Sequence, residues 1–277
     1  MANTIKEQQD ILTKLNIHVL NPMQEEATFV IEKTTNTILL SPTGTGKTLA
    51  FLLPLVKLLD PNCKDIQALI IVPSRELAIQ IEQVVRSMGS GFKVNAVYGG
   101  RPMSKDKIEI KHVPAILIGT PGRIADHFSN NRFSKTSIKT LILDEFDKSL
   151  EDGFEFEMKE IIGQLPHINK RILTSATQSI NIPGFVRLDQ PTIVNYLKDK
   201  VVSKLEIKTV VFPSKNKSQT LLDLIGHLGN QTGIIFCNLR DSVDLVSRYL
   251  ERNNVNNSCF VGGMEQKNRE RSLIKFR

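Results

Sequence analysis

Short apolar runs separated by stretches of helical periodicity set the pattern of this chain. The runs are Ile38–Leu40, Ala68–Val72, Val94–Val97, Ala115–Ile118, Thr140–Leu143, Ile172–Thr174 and Thr192–Tyr196. Most lack the polar alternation of a half-exposed strand, which predicts strands covered on both faces and so a largely parallel sheet. Between them the spacing predicts helices over Leu49–Leu59, Glu76–Met88 and Phe156–Leu165, with Pro54 placed to kink the first. Strands and helices in alternation make an α/β doubly wound pattern.

From Leu197 to Lys204 the chain turns polar and lysine-rich, as an interdomain linker does. The pattern then restarts. Strands are expected over Ile207–Phe212, Gly233–Phe236 and Ser258–Val261, and helices over Ser218–Leu228, over Ser242–Arg252 and from about Gln266. Three strands do not readily cover both faces of a parallel sheet. The expected organisation is therefore a first domain over 1–196, a linker over 197–204, and an unfinished second domain over 205–277.

Composition narrows the class without naming a function. The 277 residues are 40% hydrophobic and 23% charged, the balance of a soluble globular chain with a sizeable core. Lys and Arg number 36 against 29 Asp and Glu, a net charge of +7 that favours an anionic partner such as nucleic acid. Cys63, Cys237 and Cys259 are far apart and form no Cys-x-x-Cys pair, which points to reduced thiols, no zinc site and a cytoplasmic protein. The five histidines show no ligand spacing. The N-terminus is polar and mixed in charge, and no apolar run approaches membrane-spanning length, so neither a signal peptide nor a membrane partner is expected.

Ser41-Pro42-Thr43-Gly44-Thr45-Gly46-Lys47-Thr48 follows the apolar run Thr37–Leu40 and opens a helical pattern. Strand, glycine loop and helix in that order form the setting of a phosphate-binding P-loop. Backbone N–H groups from Thr43 to Gly46 turn inward to cradle an anion, and the helix N-terminus adds its positive dipole end. Lys47 reaches the outer phosphates and the Thr48 hydroxyl is placed to hold magnesium. Ser41 stands where the strict pattern has glycine. About a hundred residues on, Leu141-Ile142-Leu143 runs into Asp144-Glu145-Phe146-Asp147. An apolar strand ending in carboxylates is the companion such a site needs: one carboxylate for the magnesium shell, the next to orient or deprotonate the attacking water.

With these motifs the chain resembles the DEAD-box family of ATP-dependent RNA helicases, in superfamily 2. The segments stand in family order: Gln24 after Pro22, Ser41–Thr48, Pro73-Ser74-Arg75-Glu76-Leu77-Ala78, Gly99-Gly100, Thr120-Pro121-Gly122-Arg123, Asp144–Asp147 and Ser175-Ala176-Thr177. Ile234–Asn238 and Gln266–Arg269 look like the first two motifs of the family's second lobe. The resemblance implies a P-loop RecA-like parallel-sheet domain followed by an incomplete second RecA-like domain. It implies ATP and Mg2+ as cofactors, Gln24 on the adenine edge, Lys47 and Thr48 on phosphate and magnesium, and Asp144 and Glu145 on magnesium and the catalytic water. Asp147, Ser175 and Thr177 would couple nucleotide state to lobe closure. Arg75, Gly99, Gly100, Thr120, Gly122 and Arg123 would line a path for the RNA backbone that reads phosphates and 2′-hydroxyls and so is insensitive to sequence.

The chain departs from the family pattern in places. Phe146 replaces the small third residue of the acidic motif, and the nine residues before and including Gln24 lack the usual Gly-Phe opening. Leu239 and Val261 stand where Thr and His are common. The paired arginines that stabilise the transition state have no match and are expected beyond Arg277, as in a fragment of a longer enzyme. The expected function is RNA-stimulated ATP hydrolysis with local RNA duplex unwinding or remodelling of RNA–protein complexes. Two alternatives are a nucleotide- and RNA-binding module without turnover and a DNA-directed translocase.

Overall fold

Parallel strands bury both faces only when helices cover them, and the first part of the chain supplies at least one helix between each of its first six strands. The structure, a computed structural model, describes residues 7–151, 153–178, 181–198, 206–211, 216–229 and 231–276. It divides into two compact units, Met1–Ser203 and Lys204–Arg277.

In the first unit β1 (Asn36–Leu40), β2 (Ala68–Ile71), β3 (Val94–Val97), β4 (Ile116–Gly119), β5 (Thr140–Leu143), β6 (Lys170–Ser175) and β7 (Thr192–Asn195) form one sheet in the order β3-β4-β2-β5-β6-β1-β7. Every pairing is parallel. Helices α1 (Gln8–Lys14), α2 (Pro22–Lys33), α3 (Lys47–Leu58) and α4 (Arg75–Met88) pack on one face, against Leu39, Ile70, Ile118, Ile142 and Ile172. Helices α5 (Met103–Ile110), α6 (Pro121–Ser129), α7 (Phe146–Glu151) and α8 (Glu155–Gly163) serve the other, against Ile38, Leu40, Leu69, Leu117, Leu141 and Leu173. Neighbouring residues of one strand thus feed opposite cores, and this is why the runs read as uniformly apolar.

Local chemistry sets the helix ends. Asn21 caps α2 in a capping box with Gln24, with Pro22 in the first turn. The Ser74 side chain accepts from the Leu77 N–H at the start of α4, and Gly89 closes that helix at φ +57°. Pro54 lies inside α3, which continues as helix through Leu58. Gly119 admits no side chain, since a Cβ would fall 2.7 Å from both the Val97 carbonyl and Ile124 Cδ1.

The second unit departs from the expectation. It contains α9 (Lys217–Leu228), α10 (Arg240–Arg252) and α11 (Gln266–Phe276), close to the expected helices. The strands expected at Ile207–Phe212, Gly233–Phe236 and Ser258–Val261 form no ladder among the described residues; Phe212 itself lies outside them. A strand is held by its neighbours, and these apolar runs are left largely uncovered: Val211 is 89% and Phe236 90% exposed. Only Leu250 and Gln266 are buried among the unit's described residues. Of the expected linker, 199–204 lies outside the described residues.

Core and surface phenylalanines should therefore behave differently. Phe51 is fully buried in the first unit, and Phe51→Ala should cost about 3–5 kcal/mol. Phe236→Ala should stay within about 0.5 kcal/mol in the same urea titration of the whole chain. A comparable loss from both would contradict the separation of core from exposed run.

Candidate active site

Strand register brings the motif ends together. Leu40 pairs with Ser175 across β1 and β6, and Leu143 pairs with Leu173 across β5 and β6. The P-loop, the acidic segment and the Ser-Ala-Thr segment thus leave three adjacent strands at their C-terminal ends. β1 also sits away from β2, with β6 and β5 between them, so the loop after β1 opens at a reversal of strand order, where α/β sheets bind ligands.

The P-loop is braced from within. Gly44 and Gly46 take φ of +80° and +89°, the left-handed region that glycine enters freely. Ser41 Oγ lies 2.7 Å from Thr45 Oγ1, and Thr45 Oγ1 donates to the Pro42 carbonyl at 2.8 Å. The serine that breaks the strict pattern is part of this brace. Lys47 Nζ donates to the carbonyls of Ser41 and Pro42 at 2.6 and 2.8 Å, folded back across the loop. Burial lowers the Lys47 pKa below the ordinary lysine value, and Asp144, Glu145 and Asp147 work against that shift. One buried ammonium therefore faces three carboxylates. Thr43 is exposed and Thr48 half-buried at the start of α3.

Asp144 is buried, and burial raises its carboxyl from 3.8 to about 6; Thr174 and Lys47 act to lower it and Glu145 to raise it. Thr174 Oγ1 donates to Asp144 Oδ1, and accepts from the Glu145 N–H at 3.1 Å. Glu145 holds φ at +50°, unusual for a residue with a side chain, at the turn from β5 into α7. Phe146 is fully buried in the core beneath, so this departure from the small third residue is absorbed by packing. Thr177 Oγ1 donates to Asp147 Oδ2 at 3.0 Å, and the Ser175 hydroxyl accepts from the Thr177 N–H at 2.9 Å. Asp147, Ser175 and Thr177 thus form one connected bridge. Asp147 Oδ1 is buried with no hydrogen-bond partner, an acceptor left over for a ligand. Hard oxygens from Asp144 and Thr48 make a donor set that suits Mg2+ shared with phosphates.

Gln24 stands beside the P-loop, with its amide already engaged. Its Oε1 accepts from the Asn21 N–H at 3.1 Å and its Nε2 donates to the Gly46 carbonyl at 3.3 Å. Asn21 Nδ2 adds a bond to the Thr45 carbonyl at 3.0 Å. A Cβ at Gly46 would strike Gln24 Nε2. The α2 cap and the P-loop are therefore one assembly.

The second group gathers at the ends of β2, β3 and β4. Gly119 of β4 pairs with Ile71 and with Val97, which brings Arg75, Gly99-Gly100 and Thr120-Gly122 onto one edge. The Arg75 guanidinium lies over Gly99 and Gly100, and Gly100 has φ +84°. Nothing stands within 4 Å of where a Gly122 side chain would be, so the start of α6 is open to a ligand. Arg123 is placed differently from the expectation. It donates to the carbonyls of Tyr98 (3.0 Å) and Arg101 and pairs with Asp106 at 3.3 Å. Its guanidinium braces the loop, engaged by Tyr98, Arg101, Met103 and Asp106.

Sequence reasoning missed Thr174, Asn21 and Asp106. Asn21 carried a readable signal, an N-cap before Pro22 with Gln three residues on. Thr174 and Asp106 carried none, since Thr174 meets Asp144, 30 residues away, and Asp106 meets His127, 21 residues away, only through strand register and helix packing.

Comparison with known proteins agrees with this geometry. The sequence profile described as DEAD/DEAH box helicase matches residues 21–183. The chain is 30% identical over 262 residues to the DEAD-box ATP-dependent RNA helicase RhpA of Helicobacter pylori, covering 93% of this chain and 53% of that protein. It is 31% identical to the ATP-dependent RNA helicase DHH1 of Saccharomyces cerevisiae (92% and 51%) and 31% identical to FAL1 of Mycosarcoma maydis (95% and 68%). The chain thus spans about half the length of RhpA and of DHH1. Its fold is similar to that of S. cerevisiae Dbp5 bound to RNA and ADP BeF3, with a TM-score of 0.76 and 23% identity over 98% of this chain and 71% of that one.

The raised Asp144 carboxyl has a consequence for stability. The folded chain keeps a proton that the unfolded chain releases, so the stability from this group falls as pH rises from 3.8 to about 6. With EDTA and without nucleotide, Asp144→Asn should exceed the wild type in stability at pH 8 by at most ~3 kcal/mol. The gap should close towards pH 4 in urea titrations. A gap independent of pH would show that burial does not govern this carboxyl.

Proposed function

The chain belongs to the DEAD/DEAH box helicase family, and we propose that it couples ATP hydrolysis to local separation of RNA strands. The observation that carries this reading is the convergence of Lys47 with Asp144, Glu145 and Asp147 at adjoining strand ends. Backbone N–H groups from Thr43 to Gly46, at the α3 N-terminus, bind the phosphates. Lys47 exchanges its carbonyl partners Ser41 and Pro42 for the outer phosphates, which costs little because its ammonium is already desolvated. Asp144 and Thr48 would hold Mg2+, which would supply neutralising charge to the phosphates. Glu145 orients the attacking water and takes its proton. Thr174 positions both acidic residues, one through its hydroxyl hydrogen and the other through its oxygen.

Asp147, Thr177 and Ser175 carry the nucleotide state away from the site, since any ligand drawn to the free Asp147 oxygen pulls on this bridge. RNA lies along Arg75, Gly99, Gly100, Thr120 and Gly122. These groups offer backbone N–H donors and one guanidinium, which read the RNA backbone and not the bases. Arg123 acts by holding the loop. A cytoplasmic setting belongs to the same reading.

A second reading, binding of nucleotide and RNA without turnover, is favoured by the sparse core of the second unit. Phosphate release from ATP with and without single-stranded RNA separates the two: stimulation supports the first, and flat, negligible release the second.

Glu145→Gln should retain ATP binding, because the amide keeps the shape, while hydrolysis falls by about 10²–10⁴-fold through loss of the base. Near-normal single-turnover hydrolysis would remove Glu145 from that role. Gln24 is expected to favour adenine over guanine. Equal affinities for ATP and GTP in fluorescence titrations would leave Gln24 with only its bonds to Asn21 and Gly46.

A further inference from the structure

One charged cluster in the first unit lies outside the nucleotide site. Asp106, on α5, is fully buried. Its Oδ2 accepts from His127 Nε2–H at 3.1 Å and lies 3.3 Å from Arg123 Nε; both partners come from α6. Its Oδ1 lies 2.7 Å from Arg101 Nε, a close charge pair without hydrogen-bond alignment. A carboxylate that gives up water on every side is expensive unless its partners are fixed. Here the partners are fixed in turn. Arg101 donates to the Ala96 carbonyl at 2.6 Å, pairs with Glu109 at 2.8 Å and stacks 4.5 Å over the Tyr98 ring. Arg123 donates to the Tyr98 and Arg101 carbonyls. Burial disfavours the Arg101 charge, and Asp106 and Glu109 more than offset it, so its pKa is raised.

The cluster therefore spans two segments. One runs from Tyr98 through Gly99-Gly100 to Arg101, and the other from Thr120 through Gly122 to Arg123. These are the segments assigned to the RNA backbone above, and they are joined here through one buried side chain. Two arginines near an anion path would ordinarily be read as phosphate ligands, yet both guanidinium groups are turned inward.

The geometry points to Asp106 as a positioning residue for RNA: it locks the glycine pair and the open start of α6 at a set spacing, and holds Arg101 and Arg123 as structural cations withheld from phosphate. This rests on the RNA reading proposed above. It opposes the simple electrostatic expectation. Removing Asp106 raises the net charge by one and takes a counter-charge from two guanidinium groups, which alone would tighten RNA binding and steepen its salt dependence. If Asp106 positions the path, its removal weakens binding.

The test uses the full chain with Asp106→Ala and the near-isosteric Asp106→Asn. Affinity for an unstructured RNA oligonucleotide is measured by fluorescence anisotropy across salt concentrations. ATP affinity is measured in parallel, and backbone hydrogen exchange is followed over 98–103 and 120–124. The expected result is an RNA affinity at least about tenfold weaker, the equivalent of 1.4 kcal/mol, with ATP affinity within about twofold. Exchange should rise in both segments together. Asp106→Asn, which stays folded if Asp106→Ala does not, should show the same changes at smaller size. Unchanged or tighter RNA binding by either folded variant would overturn the proposal. If the wild-type chain bound no RNA, the function proposed above would fall, and exchange alone would decide: raised exchange in both segments supports Asp106 as their lock, and unchanged exchange overturns it.

Discussion

The parallel register of β1, β6 and β5 is the constraint on which the rest of the site depends. Parallel ladders allow no partial slip, because a shift of one residue would turn each apolar side chain toward the wrong core. With Leu40 set against Ser175 and Leu143 against Leu173, the residues just past the pairs are placed as well. Asp144 must emerge beside Thr174, and the Ser41 N–H must meet the Ser175 carbonyl, which it does at 3.1 Å. The two buried cores that hold this register are thus also what aims the chemistry.

Charge is stored in that frame at some cost. A buried lysine folded over its own loop and a buried aspartate held up to about 6 are poor arrangements for stability. They suit the phosphate and divalent cation of the function proposed above, which would relieve both at once. The left-handed Glu145 and the unpaired Asp147 oxygen belong to the same account. Each is a local expense in the unliganded state that a bound nucleotide can offset.

Much of the first unit was legible in the sequence. All seven strands lie within two residues of the apolar runs, since strands buried on both faces leave a continuous apolar signature. Helices α1, α2, α5, α6 and α7 carried a weaker signal: they are short or mix polar with apolar positions. The second unit shows the converse. Its helices follow their periodicity, but apolar runs at 207–211, 233–236 and 258–261 do not pair, because strand structure is supplied by neighbours and not by the run itself.

The sequence by itself determined the alternation of strand and helix in the first unit, the glycine loop with Lys47 and Thr48, and the carboxylates that close β5. These are local properties: a turn that needs positive φ, an apolar run, a cap. Tertiary structure decided how the long-range partners meet. It set Thr174 against Asp144 and tied Gln24 and Asn21 to the P-loop. It also turned Arg123 inward onto Asp106. An arginine in a motif is a charge with five donors and no stated direction, and only the packing of α5 and α6 against the strand ends chooses whether that charge meets a buried carboxylate or the solvent.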